Sequence, residues 1–234
     1  MTTSANLLKP LSSLGLERAP VAVAFLPSPP AGLARVDRPA PAGCGYWKAA
    51  SEGQAFYTTV EDHANCPVGA YTHGVELNPE QGQQLQGLVG TMVELKYIKM
   101  EEVPSIPRRT DPLQIAAYAP LSQATFAPDV VVFRGNVRQI MVLSEAARAA
   151  GVFATSTVMG RPACAMLPEA LGSASGVASV GCVGNRVYTG LGDNELYLAV
   201  PGGNLNDVLE KLPETVDANV ELERFHQRRA ASLA

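Results

Sequence analysis

Apolar residues along this chain fall into strand-like runs and helix-like repeats. Val21-Ala22-Val23-Ala24-Phe25-Leu26 is a short unbroken apolar run between Pro20 and a proline cluster, the pattern of a buried strand. The proline-rich stretch from Pro27 to Pro41 then reads as a long connection delivering the chain to Cys44. Alternation over Phe56 to Val60 predicts a strand ahead of Glu61-Asp62-His63. Ile115 to Leu121 and Val130 to Phe133 predict a further pair, and Val152 to Val158 and Glu195 to Val200 two more.

Helical spacing appears in other segments. Asn78 and Pro79 form a helix start, after which Leu85, Leu88, Val89, Met92 and Val93 recur on one face. Gly82, Gly87 and Gly90 are unfavourable inside a helix, which predicts close approach to a neighbouring backbone. Asn136 opens a second helix with an apolar face of Ile140, Met141, Leu143 and Ala147, ending at Gly151. Short helices are expected after Cys44 and Cys164, closed by Gly53 and Gly172. Asn204 begins another, running to Leu212, and Val216 to Leu233 forms a separate charged one. Elements in this order predict an α/β (mixed α+β) fold with a mixed β-sheet and flanking helices. Pro104, Pro107 and Pro112 mark a crossover between two pseudo-symmetric, repeat-like halves, about 15–103 and 112–203, in a single domain 1–234 that ends in a helical segment 204–234.

The halves are suggested by the cysteines. Cys66-Pro-Val-Gly-Ala-Tyr-Thr-His-Gly74 and Cys182-Val-Gly-Asn-Arg-Val-Tyr-Thr-Gly190 share a cysteine, an inner glycine, a Tyr-Thr pair and a closing glycine, with a one-residue shift in the middle. Cys44 and Cys164 stand 22 and 18 residues upstream of their partners. A duplicated unit folds alike twice, so the four thiols are expected to converge where the halves meet.

Composition narrows the chemistry. A net charge of −4 with 17% charged residues carries no basic stripe for phosphates, and 6% aromatics with a single tryptophan argue against base-stacking platforms. Nucleic acid is therefore excluded as a partner. No stretch approaches the roughly 18 apolar residues of a membrane span, and Met1 to Pro20 does not have the pattern of an export signal, so the expected location is cytoplasmic. There thiols stay reduced and serve more often as ligands or catalysts than as bridges.

Four thiolates suit either an iron-sulfur cluster or zinc. Structural zinc sites usually draw ligands from tight C-x2-4-C knuckles, whereas single ligands on separate elements fit a cuboidal 4Fe-4S cluster, each iron taking one thiolate. The expectation is a 4Fe-4S cluster held by Cys44, Cys66, Cys164 and Cys182, with zinc as the alternative and a dithiol–disulfide enzyme as a third reading. His63 or Arg186 would lower a thiol pKa in that last case. A cluster with four thiolates is an electron carrier, sensor or structural element; with one iron open it binds substrate as a Lewis acid. The partner is then a redox protein or a small molecule. Arg161 and Arg186 are candidates for an anionic group, His63 for proton donation, and Tyr71 and Tyr188 for hydrogen bonds to sulfur or substrate. His73 lacks a counterpart in the second copy, and His226 falls on the charged terminal helix. No G-x-G-x-x-G, G-x-S-x-G or H-E-x-x-H supports a nucleotide-binding, serine hydrolase or zinc protease reading.

The early Pro-Val-Ala-Val-Ala-Phe run, Cys44, Glu61-Asp-His-Ala-Asn-Cys-Pro-Val-Gly-Ala70, Pro128-Asp-Val-Val131, Pro162-Ala-Cys164 and Gly181-Cys-Val-Gly-Asn-Arg186 together resemble the bacterial and archaeal family known as domain of unknown function 169. The resemblance runs from Pro20 to about Gly202. It implies that the cysteine segments are family features and carries no settled activity.

Overall fold

The computed structural model describes residues 8–153 and 159–233. Its described strands are β1 (Val21–Leu26), β2 (Ala34–Arg35), β3 (Phe56–Thr59), β4 (Ile115–Pro120), β5 (Val130–Asn136), β6 (Val177–Ser179) and β7 (Glu195–Pro201). They form one mixed sheet in the order β2-β3-β4-β1-β5-β7-β6, antiparallel except for the parallel β2–β3 edge. The described α-helices are α1 (Cys44–Ser51), α2 (Pro67–Thr72), α3 (Pro79–Glu94), α4 (Val137–Ala149), α5 (Met166–Ser173), α6 (Val183–Thr189) and α7 (Leu205–Leu233).

The central strands lack polar alternation because both sheet faces are covered. On one face Val21, Val23, Ala116, Tyr118, Val130, Val132, Tyr197 and Ala199 pack with Cys44, Tyr46 and Trp47 of α1, Cys164, and Met166 to Ala170 around α5. On the other, Ala22, Ala24, Val131, Phe133, Leu198 and Val200 meet Ile140, Leu143 and Ala147 of α4 and Leu205, Val208, Leu209 and Leu212 of α7. The sheet is thus the middle of three layers, with all four cysteine segments on the first face.

Several elements depart from their sequence patterns. The segments expected over Asn204 to Leu212 and Val216 to Leu233 are one helix, α7, which runs through Pro213. Gly172 lies inside α5, and the end falls instead at Ala174, which takes the left-handed conformation (φ 51°). Met141 is 44% exposed, its place on the buried face of α4 taken by Val142 and Ala146. The edge strands β2 and β6 are too short to show as runs. Of the segment Val152 to Val158, residues 154–158 lie outside the described residues, and Phe153 makes a parallel bridge to Gly176.

The glycines of α3 also differ from expectation. The helix has the predicted start, with Asn78 accepting from the Gln81 N–H and Gln81 returning the bond, but none of its residues is buried. A Cβ at Gly82, Gly87 or Gly90 would meet no described atom within 4 Å. Gly82→Ala and Gly87→Ala are therefore expected to stabilise the protein by roughly 0.5–1 kcal/mol each, measured as a rise in the urea midpoint at unchanged slope.

Candidate functional site

The four cysteines come together on the first face. Cys44 opens α1, Cys66 is the N-cap of α2, Cys164 sits in a single 3-10 turn leading into α5, and Cys182 is the N-cap of α6. All four are free thiols, Cys44 and Cys164 buried, Cys66 and Cys182 partly open. Burial pushes the Cys44 thiol up to about 12; the Asn185 amide beside it pulls back, while negative charge on Cys66 or Cys182 would push it further. The Cys164 thiol is raised well above its ordinary value by burial and then by Cys66, Cys182 and Cys44, with the Thr72 hydroxyl acting in the opposite direction. Thiols that perturb one another in this way lie within electrostatic reach across both halves of the chain. Among the described residues, no group of three or more His, Cys, Asp or Glu is arranged to hold a single metal ion.

The Cys66 segment is shaped by glycines. A Cβ at Gly69 would stand 2.8 Å from the Cys66 sulfur, so any larger residue there would push that thiol aside. Gly74 (φ +78°) ends the same segment, and a Cβ there would come 2.6 Å from the Asp111 carbonyl oxygen. At Cys182 the sulfur accepts the Asn185 backbone N–H at 3.4 Å, capping α6 in place of the usual hydroxyl or carboxylate.

Two imidazoles lie against this assembly. His63 ends the turn after β3, which is locked by Asp62: its carboxylate takes the Arg35 guanidinium at 2.9 and 3.0 Å and the Thr59 N–H at 2.8 Å. Burial raises the Asp62 pKa, yet Arg35 and Thr59 outweigh it and hold the carboxyl below its ordinary value. Tyr46 of α1 donates to the Asp62 carbonyl at 2.5 Å and accepts from the Ala40 N–H, tying the Cys44 helix to the His63 turn. His63 Nε2 is 2.9 Å from the Thr58 hydroxyl, which donates to the Ala116 carbonyl at 3.2 Å. The ring therefore donates from Nε2 and leaves Nδ1 a bare acceptor, buried without a partner.

His73 follows α2, its ring edge-to-face with those of His63 and Phe25, each at 5.8 Å. Both of its ring nitrogens are buried without a partner of hydrogen-bond geometry, as are both polar atoms of the Asn185 side chain. An unpaired buried polar group costs about 1–3 kcal/mol. Burial lowers the His63 pKa to about 4, Asp62 opposing. It lowers that of His73 to about 3, helped by His63 and Arg109 and opposed by the Cys164 backbone.

The remaining candidates are placed less centrally. Arg161 and Arg186 line a cavity of about 360 Å³ together with Tyr97, Gly160, Gly181, Cys182 and Val183. Arg161 pairs with Glu102 at 3.2 Å and lies over the Tyr97 ring, while Arg186 donates to the Val180 and Gly192 carbonyls at 2.7 and 3.0 Å. His63 is not among the residues lining that cavity. Tyr71 is stacked under Arg108, Tyr188 is 46% exposed, and His226 is exposed on α7. Sequence reasoning assigned no role to Asn185, Thr72 or Tyr46, although Asn185 lies in the quoted Gly-Cys-Val-Gly-Asn-Arg run.

The family model described as uncharacterised ArCR, domain of unknown function 169, matches residues 11–211. The chain belongs to this family. It is 30% identical over 169 residues to the uncharacterized protein MJ0308 of Methanocaldococcus jannaschii, covering 69% of this chain and 71% of that one. No solved structure matches. No helix among the described residues of this family member is long and apolar enough to cross a membrane.

The buried imidazoles make a prediction about pH. A histidine with a depressed folded pKa contributes stability that is present above its unfolded value of 6.5 and is lost as pH falls toward the folded value. Stability of the metal-free protein is expected to decline from about pH 6.5 to about pH 4, by up to about 1.4 kcal/mol per pH unit for each histidine. Asp62 adds its own loss only below 3.8. Urea unfolding at pH steps through the upper window measures this, and a flat profile there would contradict two neutral buried rings.

Proposed function

We propose that this protein binds a 4Fe-4S cluster through Cys44, Cys66, Cys164 and Cys182, drawn from two duplicated halves. The observation that carries the reading is the gathering of four free thiols, two of them buried, from both halves of the chain. Buried thiols with raised pKa values stay protonated unless a cation compensates their charge, and a bound metal centre supplies that compensation. The donor set is soft sulfur, and the unpaired Asn185 and His73 groups suit a centre that brings its own acceptor atoms. A cubane takes its thiolates at separate corners, more widely spread than one tetrahedral ion would.

The strand order supports duplication. Reading outward from the centre, β1-β4-β3 on one side matches β5-β7-β6 on the other, each step antiparallel, with β1 and β5 themselves antiparallel at the seam. Cys44 and Cys164 both precede an eight-residue helix or open one, and Cys66 and Cys182 both cap short ones.

When bound, the cluster supplies one-electron chemistry or, with one iron left open, Lewis acidity. The chain contributes a dry layer around Cys44 and Cys164 and an opening at Cys182, where the cavity bordered by Arg161 and Arg186 admits a small molecule or the edge of a redox partner.

Anaerobic purification followed by iron, sulfide and zinc analysis tests the reading. About four iron and four sulfide per chain, with a brown chromophore, are expected; stoichiometric zinc without sulfide would overturn it. Each single Cys→Ser variant should lose most of its cluster or convert it. Gly69→Ala, which crowds the Cys66 sulfur while leaving every ligand in place, should lower iron occupancy as Cys66→Ser does, whereas Gly90→Ala should not. Equal occupancy in Gly69→Ala and the wild type would remove Cys66 from the ligand set.

A further inference from the structure

We infer that His73 is a positioning residue whose ring N–H donates a hydrogen bond to a sulfur of the bound cluster and thereby raises its reduction potential; this rests on the cluster reading above. A neutral imidazole carries one N–H whichever tautomer it adopts. Both His73 nitrogens are buried and neither reaches hydrogen-bond geometry with a described protein group; the Cys164 backbone lies near enough to pull on the ring proton and oppose the fall in pKa, but it is a poorly placed acceptor, so in either tautomer the N–H is open to a better one. Its place in the fold selects the acceptor. The ring edge at Cε1 stands 3.8 Å from where a Cβ of Gly43 would sit, so it lies against the segment entering Cys44. Its other neighbours include the Cys164 backbone, and Thr72, the preceding residue, adjoins the Cys164 thiol. His73 is thus wedged between the segments carrying two of the four thiols, at the far end of the helix capped by a third.

His63 does not take the same part. Its proton is committed to Thr58, and the nitrogen left over is an acceptor, which a sulfide or thiolate cannot satisfy. Of the two imidazoles, His73 is therefore the donor, and because residues 112–203 contain no histidine the two sides of the site are unequal. A hydrogen bond to a cluster sulfur stabilises the more negative, reduced state more than the oxidised one. In that reduction one electron enters from an external donor, no bond to the cluster breaks and no proton leaves His73.

The test uses the full-length, cluster-loaded protein reduced with dithionite. In the wild type labelled with 15N-histidine, pulsed electron paramagnetic resonance is expected to show a histidine nitrogen coupled to the cluster and an exchangeable proton lost in D2O. His73→Phe should abolish both and make the cluster about tenfold harder to reduce, a fall of about 59 mV for a one-electron couple. His73→Gln, which keeps a donor, should restore most of the potential, and His63→Gln should leave the coupling in place. A loaded wild type without histidine coupling, or a His73→Phe protein with unchanged potential, would overturn the inference, placing the proton on the Cys164 carbonyl while leaving the cluster intact. The wild-type spectrum decides the matter even if the variants do not fold. Wild-type protein with no iron or sulfide would instead end the cluster reading itself, and this inference with it.

Discussion

The pairing of β1 with β5 is the constraint on which the arrangement depends. Val21, Ala22 and Val23 lie opposite Val132, Val131 and Val130, and the junction is reinforced where the Asp129 carboxylate accepts the Phe25 N–H at 2.7 Å and the Asp129 N–H reaches the Val23 carbonyl. Short as this seam is, it joins the four-stranded group β2-β3-β4-β1 and the three-stranded group β5-β7-β6 into one sheet. Strand side chains alternate between faces, so joining the groups in this register places Val21 and Val23 on the same surface as Val130 and Val132. A slip of one residue would turn one group's cysteine-bearing face toward α4 and α7 and separate the thiols.

On that shared face the physical chemistry is one of charge held out of water. Cys44 and Cys164 resist ionisation because they are desolvated and because their neighbours would be anions too. His63 and His73 resist protonation for the matching reason. Cys44, Cys164, His63 and His73 are therefore neutral in the absence of a bound cation, and a cationic centre would replace the protons of the two buried thiols. The charged groups that fix the site stand at its margins. Asp62 with Arg35 locks the His63 turn, and Arg134 with Glu195 closes the loop after α6, the guanidinium also donating to the Thr189 and Gly190 carbonyls. Separating structural ion pairs from the sulfur layer lets the turns be rigid without raising the local dielectric.

Much of the scaffold was legible in the chain. The boundaries of β1, the start of α3 at Asn78 and of α4 at Asn136 are local matters of run length and capping chemistry, and local chemistry is what a sequence displays. The errors lie where neighbours decide. Pro213 does not end α7, because its first turns are held by Leu205, Val208, Leu209 and Leu212 against the sheet. The α3 glycines, read as marks of close packing, face open space, since nothing in a helical pattern reveals whether another element approaches it. Family membership was likewise visible in the motifs, and it brought no activity with it.

For the candidate site, the sequence alone determined which groups are on offer: four thiols in two related segments, each beside a glycine or a helix start, in a chain without the motifs of nucleotide or hydrolase sites. Only the tertiary structure decided that these thiols share one face of the sheet, Cys44 and Cys164 buried and Cys66 and Cys182 partly open, and that Cys182 borders a cavity. The tertiary structure likewise left Asn185 and His73 among the buried polar groups without partners of hydrogen-bond geometry, with His63 Nδ1 beside them. Covalent spacing determines which residue types are available, but burial and hydrogen-bond satisfaction are properties of what surrounds a side chain, and for these residues the surroundings come from segments up to about 140 residues apart in the chain.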